Sequence, residues 1–418
     1  MPEIKNVCAR EILDSRGNPT VEAEVILSDG AVGVGQVPSG ASTGSSEALE
    51  KRDNLEKRYH GRGVLGALES VNEEICGALV GMDGYDLAEA DFVMCALDGT
   101  AGKRRLGANS LLAVSIALAK AGANSLGIPL YRHLGGILPK RLPVPMMNVL
   151  NGGAHADNNL DIQEFMLIPL GAPSFAEGVR MCAEVYHTLS AILTSRGLSR
   201  SVGDEGGFAP SLESDKMALE LLLEAIERAG YKAGFDIMLG LDIASSELRE
   251  GKEYILPKRG VKYTSDELID YISSLVENYP IFSVEDAVGE DDKYGWQRLT
   301  EKLSGRVLLV GDDLFVTDPM RVRDGIDERL GNAVLLKPNQ IGTVSECAEA
   351  SLTARLGGFR TVTSHRSGDT EDTFIADLSV ALSSDLIKSG APVRAERTAK
   401  YNRLMKIEEE MFGAQYGV

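Results

Sequence analysis

Five short apolar runs in the second part of this sequence each end on a residue that can do chemistry. "FDIMLGLD" closes on Asp242, "PIFSVED" brings Glu285, "RVLLVGDD" brings Asp312, "AVLLK" brings Lys337 and "RTVTSH" brings His365. Carboxylates such as Asp242, Glu285 and Asp312 repel one another at one place unless a hard cation lies between them. All-oxygen ligands favour magnesium over zinc. Any one of them alone reads as a helix cap; the three together read as a metal site. Lys337 follows a buried strand, although lysine is among the residues least often buried. As the fourth of five successive polar strand ends, it reads as part of a shared site rather than a surface accident.

Further segments add to this set. "SVGDEGGFAP" carries Glu205 on a glycine-rich loop, and "NGGAHADNNLDIQEFM" carries His155 on a loop and Glu164 before an apolar strand. Taken singly these read as ordinary loop residues. "SHRSGDTEDT" sets His365, Arg366 and Ser367 in a row. A guanidinium beside a hydroxyl in a tight turn makes a phosphate clamp. "LIKSGAP" brings Lys388, which alone reads as a lysine closing a helix, where it would favour the dipole.

The elements that must position these groups follow from spacing. The run ends step by 43, 27, 25 and 28 residues, and helical stretches lie between them. A strand and helix every ~25–30 residues is the period of a (β/α) barrel, whose strand ends meet at one face. The long first step holds "SSELREGKEYILPKRGVKYT", an inserted excursion. An open doubly wound sheet is the alternative, but no GxGxxG follows the first strand. Ahead of this, "TVEAEVILSD" and "AVGVGQV" read as strands and "PSGASTG" as a loop, followed by helical patterns at 46–58, 64–80, 86–97 and 108–126. "GGILPKRLPVP" at 135–145 marks a boundary, giving an α+β unit over 1–135 and a barrel over 136–418.

Composition narrows the function classes. Asp and Glu number 62 against 43 Lys and Arg, a net charge of −19. Such a surface repels nucleic acid and anionic membranes, so an anionic substrate needs a locally positive pocket. The 5 cysteines are scattered without CxxC pairing, which argues against a disulfide framework and fits a reducing cytoplasm. The longest apolar run, "SLLAVSIALAKAGA", is interrupted by Lys120 and too short to span a bilayer.

The segments "DSRGNPTVEAEV", "VPSGASTG", "LDGT", "LGAN", "NGGAHADNN", "QEFM", "GDEGGFAP", "GLDIASSE", "GDDLFVT", "LLKPNQIGT", "SHRSGDTEDT" and "IKSGAP" occur in this order along essentially the whole chain. With them the sequence resembles the enolase family. The resemblance implies an α/β fold: an N-terminal α+β capping domain on a C-terminal (β/α)8-type barrel that starts ββαα. It implies a lyase of glycolysis and gluconeogenesis, interconverting 2-phosphoglycerate and phosphoenolpyruvate plus water. Two Mg2+ ions per active site are implied, the second arriving with substrate. Asp242, Glu285 and Asp312 match ligands of the first and Ser42 of the second.

By the same resemblance Lys337 matches the base at carbon 2. Glu205 matches the acid at carbon 3, assisted by Glu164. Lys388, His365, Arg366, Ser367, His155 and Gln163 match substrate-binding positions. The family pairs its subunits, implying a homodimer or a larger homo-oligomer of dimers, with Lys406 set near Glu22 of a neighbour. A cytoplasmic location is implied, with no nucleic-acid partner and no membrane span. For Lys337 to act as a base near neutrality its pKa must fall by roughly 3 units from ~10.4, a bias that Lys388 and two dications would supply. The competing readings are another acid-sugar or racemase reaction on the same scaffold, and a non-catalytic binding protein that keeps the fold.

Overall fold

The structure is a computed structural model and describes residues 1–41, 44–137 and 141–417. It opens with an antiparallel three-stranded sheet, Ile4–Leu13, Pro19–Leu27 and Val32–Gln36, in that order. The third strand is "VGVGQ" for a steric reason. A Cβ on Gly33 would lie 2.0 Å from the Ala117 carbonyl, and one on Gly35 2.4 Å from that of Ala113. Strand and helix therefore meet backbone to backbone, which only glycine against alanine allows. That helix, Ala108–Leu126, is buried over most of its length and ends at Gly127 in the left-handed conformation.

The expected helix at 86–97 is Leu87–Asp98, started by the Asp86 side chain, which accepts from the Glu89 amide. The 64–80 pattern forms a helix from Leu65 to Leu79 with one wide turn at Ser70–Ile75. The helix expected at 46–58 does not form. Its amides are taken by distant partners instead. Ala48 donates to the Gln340 carbonyl, Leu49 to that of Gly102, and Asp53 to that of Gly63. Long-range bonds of this kind override a local periodicity.

The rest builds a closed barrel of eight strands: Val144–Asn151, Glu164–Ile168, Met238–Asp242, Ile281–Glu285, Leu308–Gly311, Ala333–Leu336, Arg360–Ser364 and Leu386–Lys388. The second strand runs antiparallel to both neighbours; all other pairs are parallel. Two helices, Phe175–Ser195 and Asp215–Arg228, follow before the third strand, so the barrel starts ββαα. The closed ring excludes the open-sheet alternative. The inserted excursion is a small antiparallel sheet, Arg249–Glu250, Glu253–Leu256 and Val261–Tyr263. Thr264 then starts the next helix with a reciprocal capping pair to Glu267.

The barrel interior is filled by Val144, Met146, Met166, Ile168, Val310 and their neighbours, so it is a packed core and not a pore. At its lower end Gln415–Tyr416 pairs with Arg141–Leu142, and the Tyr416 hydroxyl donates to the Pro169 carbonyl. All five cysteines are free thiols. Among the described residues no helix is long and apolar enough to cross a membrane.

Candidate functional site at the barrel mouth

Strand geometry gathers the chemistry at one end. Asp242 and Glu285 are the last residues of adjacent strands and are register partners. Asp312, Lys337 and His365 each follow directly on the next three strands, and Lys388 ends the eighth. Lys388 thus closes a strand, not a helix. Because the second strand is reversed, Glu164 at its start reaches the same face, opposite Asp242. Pro338, in the first turn of a short helix, Pro338–Ile341, ends the Lys337 strand.

Among the described residues, one cavity at this mouth is lined by every expected site residue except Glu285. Glu285 is buried beside it and bonded to Lys388. Ser42 lies outside the described residues.

Two lysines organise the carboxylates. Lys388 Nζ lies 3.0 Å from Asp242 Oδ2, 2.9 Å from Glu285 Oε2 and 3.2 Å from Glu164 Oε2. Burial opposes its charge, but Asp242, Glu164 and Glu285 hold the ammonium well above the usual lysine range. Lys337 Nζ pairs with Asp312 Oδ2. Burial again opposes the ammonium, yet Asp312 reverses that, and its pKa lies above the ordinary value. This is opposite to the depression a base needs, and the ion pair with Asp312 is its cause.

The carboxylates divide in response. Burial and the Asp242 charge push Glu285 up to about 8. Burial and Glu205 raise Glu164 well above the carboxylate range. Burial also disfavours the Glu205 charge, but His365, His155 and Arg397 hold it well below. Glu164 and Glu205 thus form a pair in which Glu164 keeps the proton. His155 Nδ1 is 3.5 Å from Glu164 Oε1, and Asn148 Nδ2 donates to Glu205 Oε2 at 3.1 Å. Burial lowers His365 to about 4, so its ring is neutral. Arg397 sits 2.7 Å from His365 Nδ1 and can only donate, which leaves the ring proton on Nε2, 3.5 Å from Glu205 Oε2.

Arg366 lies against Glu47, which arrives from the N-terminal part of the chain; the guanidinium forks onto both carboxylate oxygens at 3.0 and 3.1 Å. Arg397, fully buried, donates to the Arg366 carbonyl at 2.6 Å and the Ser367 carbonyl at 2.5 Å, which fixes the turn. The next residue, Gly368, exchanges two backbone bonds with Ser39 at 2.7 and 2.9 Å. Ser39 is therefore anchored beside the expected phosphate clamp.

The donor set suits a hard divalent cation. Its members are carboxylate oxygens plus the Gln163 side-chain carbonyl, which is buried without a hydrogen-bond partner. Ligand atoms of Asp286, Asp312 and Asp313 lie within 4.8 Å of one another, as do those of His155, Glu164 and Glu205. Asp242 and Glu285 are bridged to each other by Lys388. Several of these carboxyls are pushed upward by burial and mutual repulsion, Asp286 well upward and Asp313 to about 7. That is the signature of more buried negative charge than the two lysines neutralise.

Several residues of this site escape a reading of spacing. Glu47, Thr317, Gln340, Asn148, Asp286 and Arg397 are polar and largely buried, and each bonds to a site residue. Gln340 sits inside the quoted "LLKPNQIGT" and Arg397 in "RAER", but nothing in their local pattern marks them. Lys406 is exposed, and Glu22 is bonded within its own chain to Arg10 and Gln36, both at 2.8 Å.

Two family models match the chain. Residues 4–134 match the description "Enolase, N-terminal domain", and residues 139–417 match "Enolase, C-terminal TIM barrel domain". The barrel with its reversed second strand, the lysine-bridged carboxylates at its mouth and these two matches agree: the chain belongs to the enolase family.

Proposed function

We propose that the protein is a phosphopyruvate hydratase: a Mg2+-dependent lyase that interconverts 2-phosphoglycerate and phosphoenolpyruvate plus water. The observation that carries this reading is one cavity with an amine, Lys337, a carboxyl pair, Glu164 and Glu205, and a guanidinium–hydroxyl turn, Arg366 and Ser367. A proton acceptor, a proton donor and a phosphate clamp are what removal of water from a phosphorylated hydroxy acid requires.

Lys337 takes the proton from carbon 2. The Glu164–Glu205 pair, which holds one proton between two buried carboxyls, gives it to the hydroxyl leaving carbon 3. Arg366 and Ser367 hold the phosphate, and His155, Gln163, His365 and Lys388 shape the remaining wall. Asp242, Glu285 and Asp312 would hold one Mg2+ and Ser42 would contribute to a second. A cation held by these carboxylates would supply positive charge near the substrate carboxylate and would offset the Asp312 charge, leaving burial to favour the free amine of Lys337. Function in the cytoplasm as a homodimer or larger oligomer, with two structural units meeting near 135, belongs to the same proposal.

The test is phosphoenolpyruvate formation from 2-phosphoglycerate, with Mg2+ and with a chelator. Turnover with Mg2+ that chelation abolishes is expected. No turnover under either condition would overturn the reading in favour of another acid substrate or a binding role.

A further inference from the structure

Val316 and Thr317, consecutive and both β-branched, have φ of 42° and 58°. This is the left-handed region, where such side chains are outliers. A conformation of this kind persists only where its surroundings over-determine it, and it often marks a functional constraint. Both residues are buried, at 1% and 0% exposure. Glycine would relieve the backbone at Thr317, but glycine has no hydroxyl.

The Thr317 hydroxyl is fully engaged. It accepts from the Lys337 amide at 2.8 Å and donates to Gln340 Oε1 at 2.8 Å, with the Leu335 carbonyl a longer second acceptor at 3.3 Å. Gln340, 1% exposed, then uses its amide hydrogens on Asp312 Oδ1 at 2.9 Å and Glu47 Oε1 at 3.2 Å. Asp312 Oδ2 returns to the Lys337 amine. The bonds close a ring through Lys337, Thr317, Gln340 and Asp312, and Glu47 ties that ring to Arg366.

We propose that Thr317 and Gln340 are positioning residues: through this ring they set where the Lys337 amine and the Asp312 carboxylate stand relative to each other. Neither touches the reacting atoms. The strained turn is retained because it aims one hydroxyl at the backbone of Lys337 and at Gln340 together. Glu47 extends the ring, so the N-terminal part of the chain fixes the lysine as well as the phosphate clamp. The inference rests on the reading of Lys337 as the base.

The test compares Thr317→Val, which removes the hydroxyl but keeps shape and β-branching, with Thr317→Ser, which keeps the hydroxyl. Gln340→Met is the matching variant at the other member. Thr317→Val is expected to lower kcat by about 10- to 100-fold, the usual range for groups that orient a reacting residue. KM for 2-phosphoglycerate should stay within about threefold, and Thr317→Ser should recover most of the loss. Because the ring acts as one unit, the double variant Thr317→Val/Gln340→Met should be little worse than either single variant.

A second readout needs no substrate. Amide hydrogen exchange in peptides covering 333–341 should quicken at least tenfold in Thr317→Val and not in Thr317→Ser. Unchanged exchange would overturn the ring whatever the activity. Wild-type kcat in Thr317→Val with only a lowered melting temperature would reduce the hydroxyl to a stabilising role and overturn the inference. An inactive wild type would overturn the proposed reaction, and the exchange experiment would still decide the ring.

Discussion

Glu164 opens its strand and Asp242 closes its own, yet the two are direct partners across the sheet. Reversal of the second barrel strand makes this so. It places the Glu164 carboxyl within the wall that carries Asp242 and Glu285, and it brings Glu164 within 3.2 Å of the Lys388 ammonium. A parallel second strand would send that residue to the opposite end of the barrel.

Lys388 is the hub of this wall, so its loss should be felt first in stability. Lys388→Met keeps length and removes charge, leaving Asp242, Glu285 and Glu164 without their common partner. Breaking a buried pair from one side costs about 3–5 kcal/mol. In chelator the variant should melt well below the wild type. Added Mg2+ should narrow the gap, since a cation can replace the lost charge. Equal melting temperatures in chelator would show that the lysine does not hold the cluster together.

Lys337→Ala should abolish exchange of the carbon-2 proton of 2-phosphoglycerate with solvent while the fold persists. Exchange can be followed by deuterium incorporation, apart from overall turnover. Retained exchange would pass the role of base to another group.

Arg366→Lys keeps a charge and loses the planar fork that now spans both oxygens of Glu47. KM for the phosphorylated substrate should rise at least about tenfold, more than kcat falls. An unchanged KM would remove Arg366 from the phosphate clamp.

Asp91 offers a pH effect away from the site. It is buried and accepts from the Ser345 amide at 3.0 Å, and burial raises its pKa from 3.8 to about 6. A carboxyl raised on folding stabilises fully below its unfolded pKa, and that contribution is lost as pH climbs through the folded one. Between about pH 4 and pH 6.5 the wild type should therefore lose on the order of 3 kcal/mol at this residue. Asp91→Asn should lack that loss. Urea midpoints for both proteins at pH 4.5 and pH 7 give the comparison, and parallel pH profiles would rule the effect out.

The barrel was legible because each strand ends on a chemically distinctive residue at a nearly constant period, from Asp242 through His365. Glu164 carried no such mark. Its place depends on strand direction, which alternation of residue types does not encode. The pattern at 46–58 misled because amides there bond to Gln340, Gly63 and Gly102, partners that all lie outside that stretch. Glu47 and Arg366 are 319 residues apart in sequence, so their pairing emerges only from the assembled fold. Thr317 was invisible for another reason: its role comes from a left-handed backbone that its residue type would argue against. The pairing of Lys337 with Asp312 was equally hidden, because their closeness is a product of tertiary packing.

The first and last barrel strands are neighbours: Val144 pairs with Leu386, and Lys388 with Met146. Every residue between them must be synthesised before that seam can close. At ~5–20 residues per second the early strands wait on the order of tens of seconds with an open edge. Contacts this distant in sequence also slow the search for the native pairing. Newly made chains should thus be most prone to edge-to-edge association in that interval, and the seam at Leu386–Lys388 sets when the danger passes.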